Sequence, residues 1–275
     1  MVAPGALRRH GCEAPLHPSQ IAVVAIALLS AVVFYLLSVQ ELPALMRRTV
    51  VPLYSVQFAV TALLFAIISR FDPGQPRHQA THPAQSSRQA GDAQVAVAIA
   101  AGVVVDVKAS PGLLTSHPVV ATCRDCGRMA LTSDTRHCGR CNKCIPGYDH
   151  HCIYLNTCVG TRNYPLFAGL LSCSILLLLT QQIVTGYAVS CLLAPGQDDD
   201  RNTRAVVLCV LSVLPLLELF FLVVLGVFHL YIASRGLTTY EWLYQWLERR
   251  NPERATTTDT SSADARTIEG SRTPL

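Results

Sequence analysis

The sequence is poor in charged residues and contains almost no lysine. Asp, Glu, Lys and Arg make up 15% of the chain, against about 25% in an ordinary soluble domain. Only two of the 22 basic residues are Lys, and a net charge of +4 is too small to indicate a nucleic-acid-binding protein. With 51% hydrophobic residues, the chain is also not disordered, because disorder requires low hydrophobicity and high net charge. The composition therefore points to a membrane protein.

Cysteine is too scarce for a disulfide-stabilised scaffold. Eleven Cys in 275 residues is 4% of the chain, below the roughly 8–10% of such scaffolds. Their distribution is uneven, because seven of the eleven lie between Cys123 and Cys158. The sequence thus predicts a membrane protein with a cysteine-dense insert.

Four apolar runs are long enough to cross a bilayer, which takes about 20 residues. Glu218 is the only charged residue in any of them. A fifth apolar run, Val95–Val105, is too short to span and predicts a buried strand or an interfacial segment. We expect membrane-spanning helices at Ile21–Val39, Val50–Ser69, Leu166–Leu193 and Ala205–Ala233.

An even number of spans places both termini and the long middle loop on one side of the membrane. Most Lys and Arg lie on that side, so the positive-inside rule assigns it to the cytosol. Thiols stay reduced there, which argues against disulfides. The predicted fold is an all-α polytopic membrane protein with a cytosolic zinc-binding domain between helices 2 and 3. Its predicted segments are a cytosolic N-terminal segment (1–20), helices 1 and 2 (21–69), a cytosolic linker (70–122), the cysteine-rich zinc domain (123–165), helices 3 and 4 (166–233) and a cytosolic C-terminal tail (234–275).

The cysteine-rich segment holds more potential metal ligands than two zinc ions need. Seven Cys and three His lie between Cys123 and Cys158. Cys-x2-Cys spacings in a reducing compartment are typical of structural zinc, because two thiolates at that spacing can share one tetrahedral ion. Two structural zincs take eight of the ten ligands and leave one Cys and one His.

Spacing alone does not say which pair is left over. The cluster His150-His151-Cys152 is the first place to look, because adjacent side chains cannot all reach one ion. An uncoordinated Cys beside an uncoordinated His is a candidate nucleophile and base. Asp149 could orient the imidazole of such a base.

Other interpretations remain open from the residues alone. A zinc-bearing membrane adaptor without catalytic activity would need the same ligands. A RING-type ubiquitin ligase also binds two zincs, but its Cys-x-His and final Cys-x2-Cys are absent. A lipid or small-molecule acyltransferase on the same scaffold is a third possibility, and only identification of the substrate would separate it.

Asp149-His150-His151-Cys152 and the stretch Asn156–Tyr164 resemble the DHHC-type protein S-acyltransferases, the palmitoyltransferases of eukaryotic membranes. Two further marks of that family are in register with the four spans. Asp72-Pro73-Gly74 follows the second span, and Thr238-Thr239-Tyr240-Glu241 follows the fourth.

The resemblance implies two interleaved structural zinc sites, with Cys152 as the nucleophile, His150 as its base and Asp149 orienting the His. It implies a protein-cysteine S-palmitoyltransferase with acyl-CoA (palmitoyl-CoA) as co-substrate and a Cys152 thioester intermediate. Acceptors would be cysteines of membrane-proximal proteins, at an endomembrane such as the Golgi or endoplasmic reticulum. The zinc ligands would be Cys123, Cys126, His137 and Cys144 for one ion and Cys138, Cys141, His151 and Cys158 for the other.

The chain departs from the family pattern at Ile153-Tyr154, where a Pro-Trp pair is usual. The acyl-CoA headgroup should favour basic residues, and the candidates, each of them equally expected to be a plain solvated charge, are Arg124, Arg128, Arg140, Lys143 and Arg162. We also expect small residues of the third span to set the depth of an acyl-chain cavity, namely Gly169, Ser172 and Ser174.

Overall fold

The computed structural model describes residues 7–74, 94–99, 103–108, 121–123, 125, 134–194 and 199–250. Four helical stretches in this part of the chain have the length and apolar composition needed to cross a membrane. The prediction of a multi-pass membrane protein with four spans is therefore confirmed. The stretches are α1 (Pro18–Val33), which continues through a π-helical turn (Phe34–Ser38) and a 3-10 turn (Val39–Glu41), α2 (Ala44–Arg70), α3 (Tyr164–Leu192) and α4 (Asp199–Ser234).

Two of the helices begin earlier than their apolar cores. Helix α2 starts at Ala44 and includes Arg47 and Arg48, and α4 starts at Asp199 with a second acid at Asp200. Hydropathy marks only the part of a helix that can sit in lipid, whereas backbone hydrogen bonds continue into polar residues. Acidic side chains in a first turn also interact favourably with the helix dipole.

Buried polar contacts join the first three spans. The hydroxyl of Tyr54 in α2 donates to Oε1 of Gln181 in α3 at 3.1 Å, and Nε2 of Gln181 donates to Oγ of Ser30 in α1 at 2.8 Å. The hydroxyls of Ser38 and Thr185 are 2.9 Å apart. Polar pairs of this kind fix how helices face each other in lipid, where apolar packing alone discriminates poorly.

The cysteine-rich segment corrects the all-α prediction, because it forms two antiparallel hairpins. Strands β4 (Arg136–Cys138) and β5 (Lys143–Ile145) form one, and β6 (His150–Cys152) and β7 (Thr157–Val159) form the other. Ligands that converge on one ion must come from neighbouring segments, and a tight hairpin makes residues seven apart in sequence direct cross-strand neighbours.

The predicted linker 70–122 also contains strands. Strands β1 (Gln94–Ile99), β2 (Val103–Lys108) and β3 (Ala121–Cys123) pair antiparallel in that order. The apolar run 95–105 thus contributes to two strands. Residues 75–93 of the linker and 251–275 of the predicted tail lie outside the described residues.

Within the predicted tail, Thr239–Arg250 form a further helix, α5. The chain divides into two compact units inside α4, the first ending at Phe228 and the second beginning at His229. The cysteine-rich domain and most of the four spans belong to the first unit, and α5 belongs to the second.

Candidate active site and metal clusters

Four predicted ligands converge in the cysteine-rich domain: Cys138, Cys141, His151 and Cys158. Their ligand atoms all lie within 4.8 Å of one another. Nδ1 of His151 is 3.7, 3.4 and 3.6 Å from the sulfurs of Cys138, Cys141 and Cys158. The sulfurs of Cys141 and Cys158 are 3.5 Å apart.

These distances fit a tetrahedral ion. Zinc bonds of about 2.3 Å to sulfur and 2.0–2.1 Å to nitrogen place two sulfurs about 3.8 Å apart and a sulfur and a nitrogen about 3.6 Å apart. Hydrogen bonds with Cys141 and Cys158 hold the pKa of the Cys138 thiol far below its ordinary value, and the bonds with Cys138 raise the pKa of Cys141 and of Cys158. The three sulfurs are therefore close enough to share protons, and a bound metal would hold them as thiolates.

A second cluster brings together Cys123, His137 and Cys144. The Cys144 sulfur lies 3.9 Å from Nδ1 of His137. Cys126, the fourth ligand that the resemblance implies, lies outside the described residues. The three described residues would supply two thiolates and an imidazole, a donor set typical of structural zinc.

The two hairpins repeat each other in sequence and in register. Residues 136–145 read RHCGRCNKCI and residues 150–159 read HHCIYLNTCV. His137 pairs with Cys144 across the first hairpin, and His151 pairs with Cys158 at the equivalent position of the second. Each turn ends on an Asn in the left-handed region, Asn142 at φ 50° and Asn156 at φ 54°.

This repeat accounts for the position of Cys152 outside the two Cys/His clusters of the described residues. Successive residues of a strand point to opposite faces, so Cys138 and Cys152 lie on the face opposite the His–Cys pair of their own hairpin. In the first hairpin that face carries two ligands, Cys138 and Cys141. In the second hairpin the matching positions are Cys152 and Leu155. The second hairpin therefore has one thiol where the first has a Cys-x2-Cys pair.

A second thiol at position 155 should create a metal-binding pair at Cys152. We expect Leu155→Cys to bind added zinc or cadmium more strongly than its control, because Cys152 and the new thiol would have the spacing of a zinc knuckle and would supply two of the four ligands. Metal analysis of the purified protein measures this, and cadmium–thiolate absorbance reports the new bonds. Leu155→Ala is the matched control, since it removes the same buried side chain without adding a sulfur. Equal metal content in the two variants would contradict the interpretation of the repeat.

Asp149, His150 and Cys152 lie together at the start of the second hairpin. Nδ1–H of His150 donates to Oδ2 of Asp149 at 2.6 Å, and Cys152 is close enough to raise the pKa of His150. Burial lowers the pKa of His150, but the bonds with Asp149 and Cys152 outweigh it, and the resulting pKa is about 9. A raised pKa makes His150 a stronger base, which suits it to accept a proton from a neighbouring thiol.

The surroundings of Cys152 are apolar and lie where α2 ends and α3 begins. Cys152 is 8% exposed and belongs to a cluster with Ile68, Phe167 and Leu171. The rings of His150 and Phe167 meet edge to face, with centroids 5.3 Å apart. A long apolar group bound to Cys152 could continue along these side chains towards the spans.

The small residues predicted to set cavity depth differ in their positions. Ser172 is exposed on the side of α3, and its hydroxyl bonds back to the carbonyl of Ala168 at 2.9 Å. It therefore does not face the Cys152 cluster. A Cβ added at Gly169 would meet no atom within 4 Å among the described residues, so a larger side chain has room there.

Lys143 is buried and is not available to bind a headgroup. It is 3% exposed, and its Nζ donates to Asp72 Oδ1 and to the Arg9 carbonyl, at 2.6 Å each. Arg162 donates to the carbonyl oxygen of Gly74 at 2.6 Å. The Asp72-Pro73-Gly74 mark therefore ties the end of α2 to the first hairpin through Lys143.

Neutralising Asp72 should destabilise the domain. Asp72→Asn leaves the buried Lys143 ammonium without its carboxylate, which costs about 1–3 kcal/mol after allowing for the half-exposed Asp72 side chain. Thermal unfolding of the purified protein measures the change. Asp200→Asn, which removes an exposed carboxylate near Arg204, should alter stability by less than about 0.5 kcal/mol. Equal stabilities for the two variants would contradict the proposed role of Asp72.

The N-terminal segment is a part of the site that sequence reasoning missed. Arg8 is 4% exposed and donates to the carbonyls of Glu13 and Pro15. Its own N–H donates to the carbonyl of the ligand Cys141 at 3.0 Å. Asn156, in the turn of the second hairpin, donates to the Gly11 carbonyl at 3.1 Å. These partners are backbone carbonyls, which leave no signal in a sequence.

Residues 120–245 match the family model described as DHHC palmitoyltransferase. Over 117 residues the chain is 32% identical to "Probable protein S-acyltransferase 3" of Arabidopsis thaliana, covering 42% of this chain and 28% of the relative. It is 38% identical over 109 residues to "Palmitoyltransferase ZDHHC5-A" of Danio rerio, covering 38% and 14%. It is 29% identical over 143 residues to "Palmitoyltransferase ERF2" of Eremothecium gossypii, covering 52% and 36%.

These matches confirm the resemblance on which the site residues were assigned. The matched range 120–245 contains both metal clusters, Asp149, His150 and Cys152. The chain spans less than two fifths of the length of each of these three relatives.

Proposed function

We propose that this chain, which carries a DHHC palmitoyltransferase domain at residues 120–245, is a protein S-acyltransferase. The observation that carries the proposal is the hydrogen bond from His150 to the buried Asp149, two residues before a buried Cys152 that lies outside both metal clusters. A zinc-bearing adaptor would need the clusters alone and gives no reason for a buried carboxylate behind a histidine.

The reaction takes two thioester exchanges. In the first, the Cys152 sulfur attacks the carbonyl carbon of an acyl-CoA, a new carbon–sulfur bond forms, and CoA leaves as its thiolate and takes up a proton. In the second, the thiol of a substrate protein attacks the carbonyl carbon of the Cys152 thioester. The bond from that carbon to the Cys152 sulfur breaks, and the acyl group is now carried by the substrate cysteine. His150 would accept the proton from Cys152 and then from the incoming thiol, while Asp149 holds the imidazole in one orientation.

Two structural zinc ions fit the described ligands. Cys138, Cys141, His151 and Cys158 would hold one, and Cys123, His137 and Cys144 with Cys126 would hold the other. When bound, the ions supply cross-links and positive charge beside the hairpins, and four protein ligands leave no open coordination position for a substrate. Rigid hairpins in turn keep His150 and Cys152 within reach of each other.

The apolar surroundings of Cys152 support a long acyl chain such as palmitoyl. Burial of each CH2 group contributes about 0.8 kcal/mol, so the chain is expected to follow Ile68, Phe167 and Leu171 towards the spans. CoA would stay in water. Substrate cysteines close to the bilayer would then be favoured by access to Cys152, and the reaction would be that of a protein-cysteine S-palmitoyltransferase.

The positive-inside bias supports a cytosolic site, where acyl-CoA and reduced thiols are available. An endomembrane such as the Golgi or endoplasmic reticulum is the proposed location.

The proposal is tested on the full chain in lipid nanodiscs with alkyne-labelled palmitoyl-CoA. We expect one hydroxylamine-sensitive label per chain, CoA release, and transfer of the label to an added membrane-bound thiol peptide. Absence of both label and CoA release would favour the adaptor. Label that moves to a lipid and not to the peptide would favour a lipid acyltransferase.

Asp149 should contribute strongly to the rate. Asp149→Asn keeps the shape of the side chain but removes the carboxylate that orients and charges His150, so self-acylation is expected to slow by about 10²–10⁴-fold. Single-turnover CoA release measures the rate, and zinc content checks that the domain is intact. A rate within threefold of the wild type, or an equal loss in Asp134→Asn, would contradict this role.

A further inference from the structure

In the second unit, α4 and α5 are joined by a compact turn. The N–H groups of Gly236, at φ +65°, and Leu237 donate to carbonyls of the last turn of α4, at 3.0 Å each. Thr238 and Glu241 then form a reciprocal capping box that starts α5, with Thr238 N–H donating to Glu241 Oε2 at 2.9 Å and Glu241 N–H to Thr238 Oγ1 at 3.2 Å. The turn fixes the two helices relative to each other.

A cavity of about 240 Å³ lies between the end of α4 and one face of α5. Helix α4 supplies Tyr231, and the turn after it supplies Arg235. The residues of α5 that line the cavity are spaced i, i+3, i+4 and i+7, so they lie on one face of that helix. These residues are Trp242, Gln245, Trp246 and Arg249.

The cavity is lined by two cations and by no acid. The guanidinium of Arg235 lies 5.3 Å from the centroid of the Tyr231 ring, and no ion pair of Arg235 or Arg249 is found within the described residues. The acids of α5 are engaged elsewhere, Glu241 with Thr238 and Glu248 with Tyr244. The positive charge of the cavity is therefore not neutralised by α5.

The position of the cavity favours a membrane lipid as the source of the anion. It lies at the end of a membrane-spanning helix, where Trp, Tyr and Arg are typical of the lipid–water interface. Leu243, Tyr244 and Leu247 of α5 are 45, 46 and 46% exposed, as expected of a helix that lies in that interface. Phosphate groups are present at this depth, and the planar guanidinium matches phosphate oxygens in pairs.

We propose that Arg235 and Arg249 bind the phosphate group of an anionic membrane lipid, with the rings of Trp242 and Trp246 against its glycerol and upper acyl carbons. The phosphate accepts hydrogen bonds from both guanidinium groups, and Gln245 can donate a further one. Binding of this lipid does not depend on acyl transfer at Cys152, so either proposal can fail without the other.

The test is native mass spectrometry of the full chain titrated with dioleoyl phosphatidic acid, with dioleoyl phosphatidylcholine as the neutral comparison. We expect the wild type to retain one phosphatidic acid in preference to phosphatidylcholine. Arg235→Gln/Arg249→Gln should weaken that retention about tenfold or more, since each charge-assisted pair is lost. The matched control is Arg70→Gln/Arg140→Gln, which removes the same charge at two exposed arginines of the first unit. Unchanged zinc content and melting temperature establish that the variants are folded.

Three results would overturn the proposal. Equal retention by wild type and cavity variant would show that the two arginines do not bind the lipid. An equal loss in the control variant would show attraction by net charge alone. Displacement of the lipid by excess CoA or inorganic phosphate would assign the cavity to a soluble phosphate ligand.

Discussion

Cys152→Ala is expected to abolish self-acylation and acyl transfer, with a loss of at least about 10³-fold. Cys152 carries the acyl group in the proposed reaction, so its removal leaves no covalent intermediate. In-gel detection of alkyne-palmitate, before and after neutral hydroxylamine, measures the thioester directly. Cys152→Ser should behave in the same way, because a hydroxyl is a far weaker acid than a thiol and is a poor nucleophile in its protonated form.

The chain offers matched thiol controls for this result. Cys12 and Cys209 are exposed and lie outside both metal clusters, so Cys12→Ala and Cys209→Ala should retain full labelling. Label that persists in Cys152→Ala but disappears in Cys12→Ala would place the acyl group on the N-terminal segment and refute the mechanism. Label that resists hydroxylamine would refute a thioester.

Cys141→Ala is expected to cause the second large loss, through the metal and not through the nucleophile. Cys141 is fully buried among three other ligands, and zinc binding contributes about 10–16 kcal/mol to small structural sites. Removing one of four ligands should release about one zinc per chain, lower the melting temperature and reduce acylation to background. Metal analysis and thermal unfolding measure the first two effects.

Cys152→Ala separates the two predictions, because Cys152 lies in the same domain as Cys141 but outside both metal clusters. It should lose activity while keeping its zinc and its melting temperature, whereas Cys141→Ala should lose all three. Full zinc content in Cys141→Ala would contradict its role as a ligand. A loss of zinc in Cys152→Ala would contradict the separation of the nucleophile from the clusters.

The spans and the clusters were largely predictable from the sequence, each for a simple reason. A bilayer demands about 20 consecutive apolar residues, so the four runs stand out by length alone. Each structural zinc needs four ligands. Two ions therefore take eight of the ten candidate ligands and leave one Cys and one His. The resemblance then assigned that pair to Cys152 and His150, and this assignment stays a prediction.

The hairpins and the N-terminal contacts were not predictable in the same way. Strands of three residues are too short to leave an alternating pattern, and the prediction of an all-α chain failed at this point. The burial of Arg8 rests on carbonyl oxygens of Glu13 and Pro15, which every residue type carries. Lys143 looked like a solvated charge because its partner, Asp72, is 71 residues away.

The sequence by itself determined that four runs are long enough to span a membrane and that the insert holds one Cys more than two zinc ions of the predicted kind would use. Lipid and zinc impose those requirements locally, through apolar length and ligand number. Only the tertiary structure decided how that thiol is presented. The register of the second hairpin turns His151 and Cys158 to the metal cluster and Cys152 to the apolar end of the spans, because neighbouring residues of a strand face opposite ways.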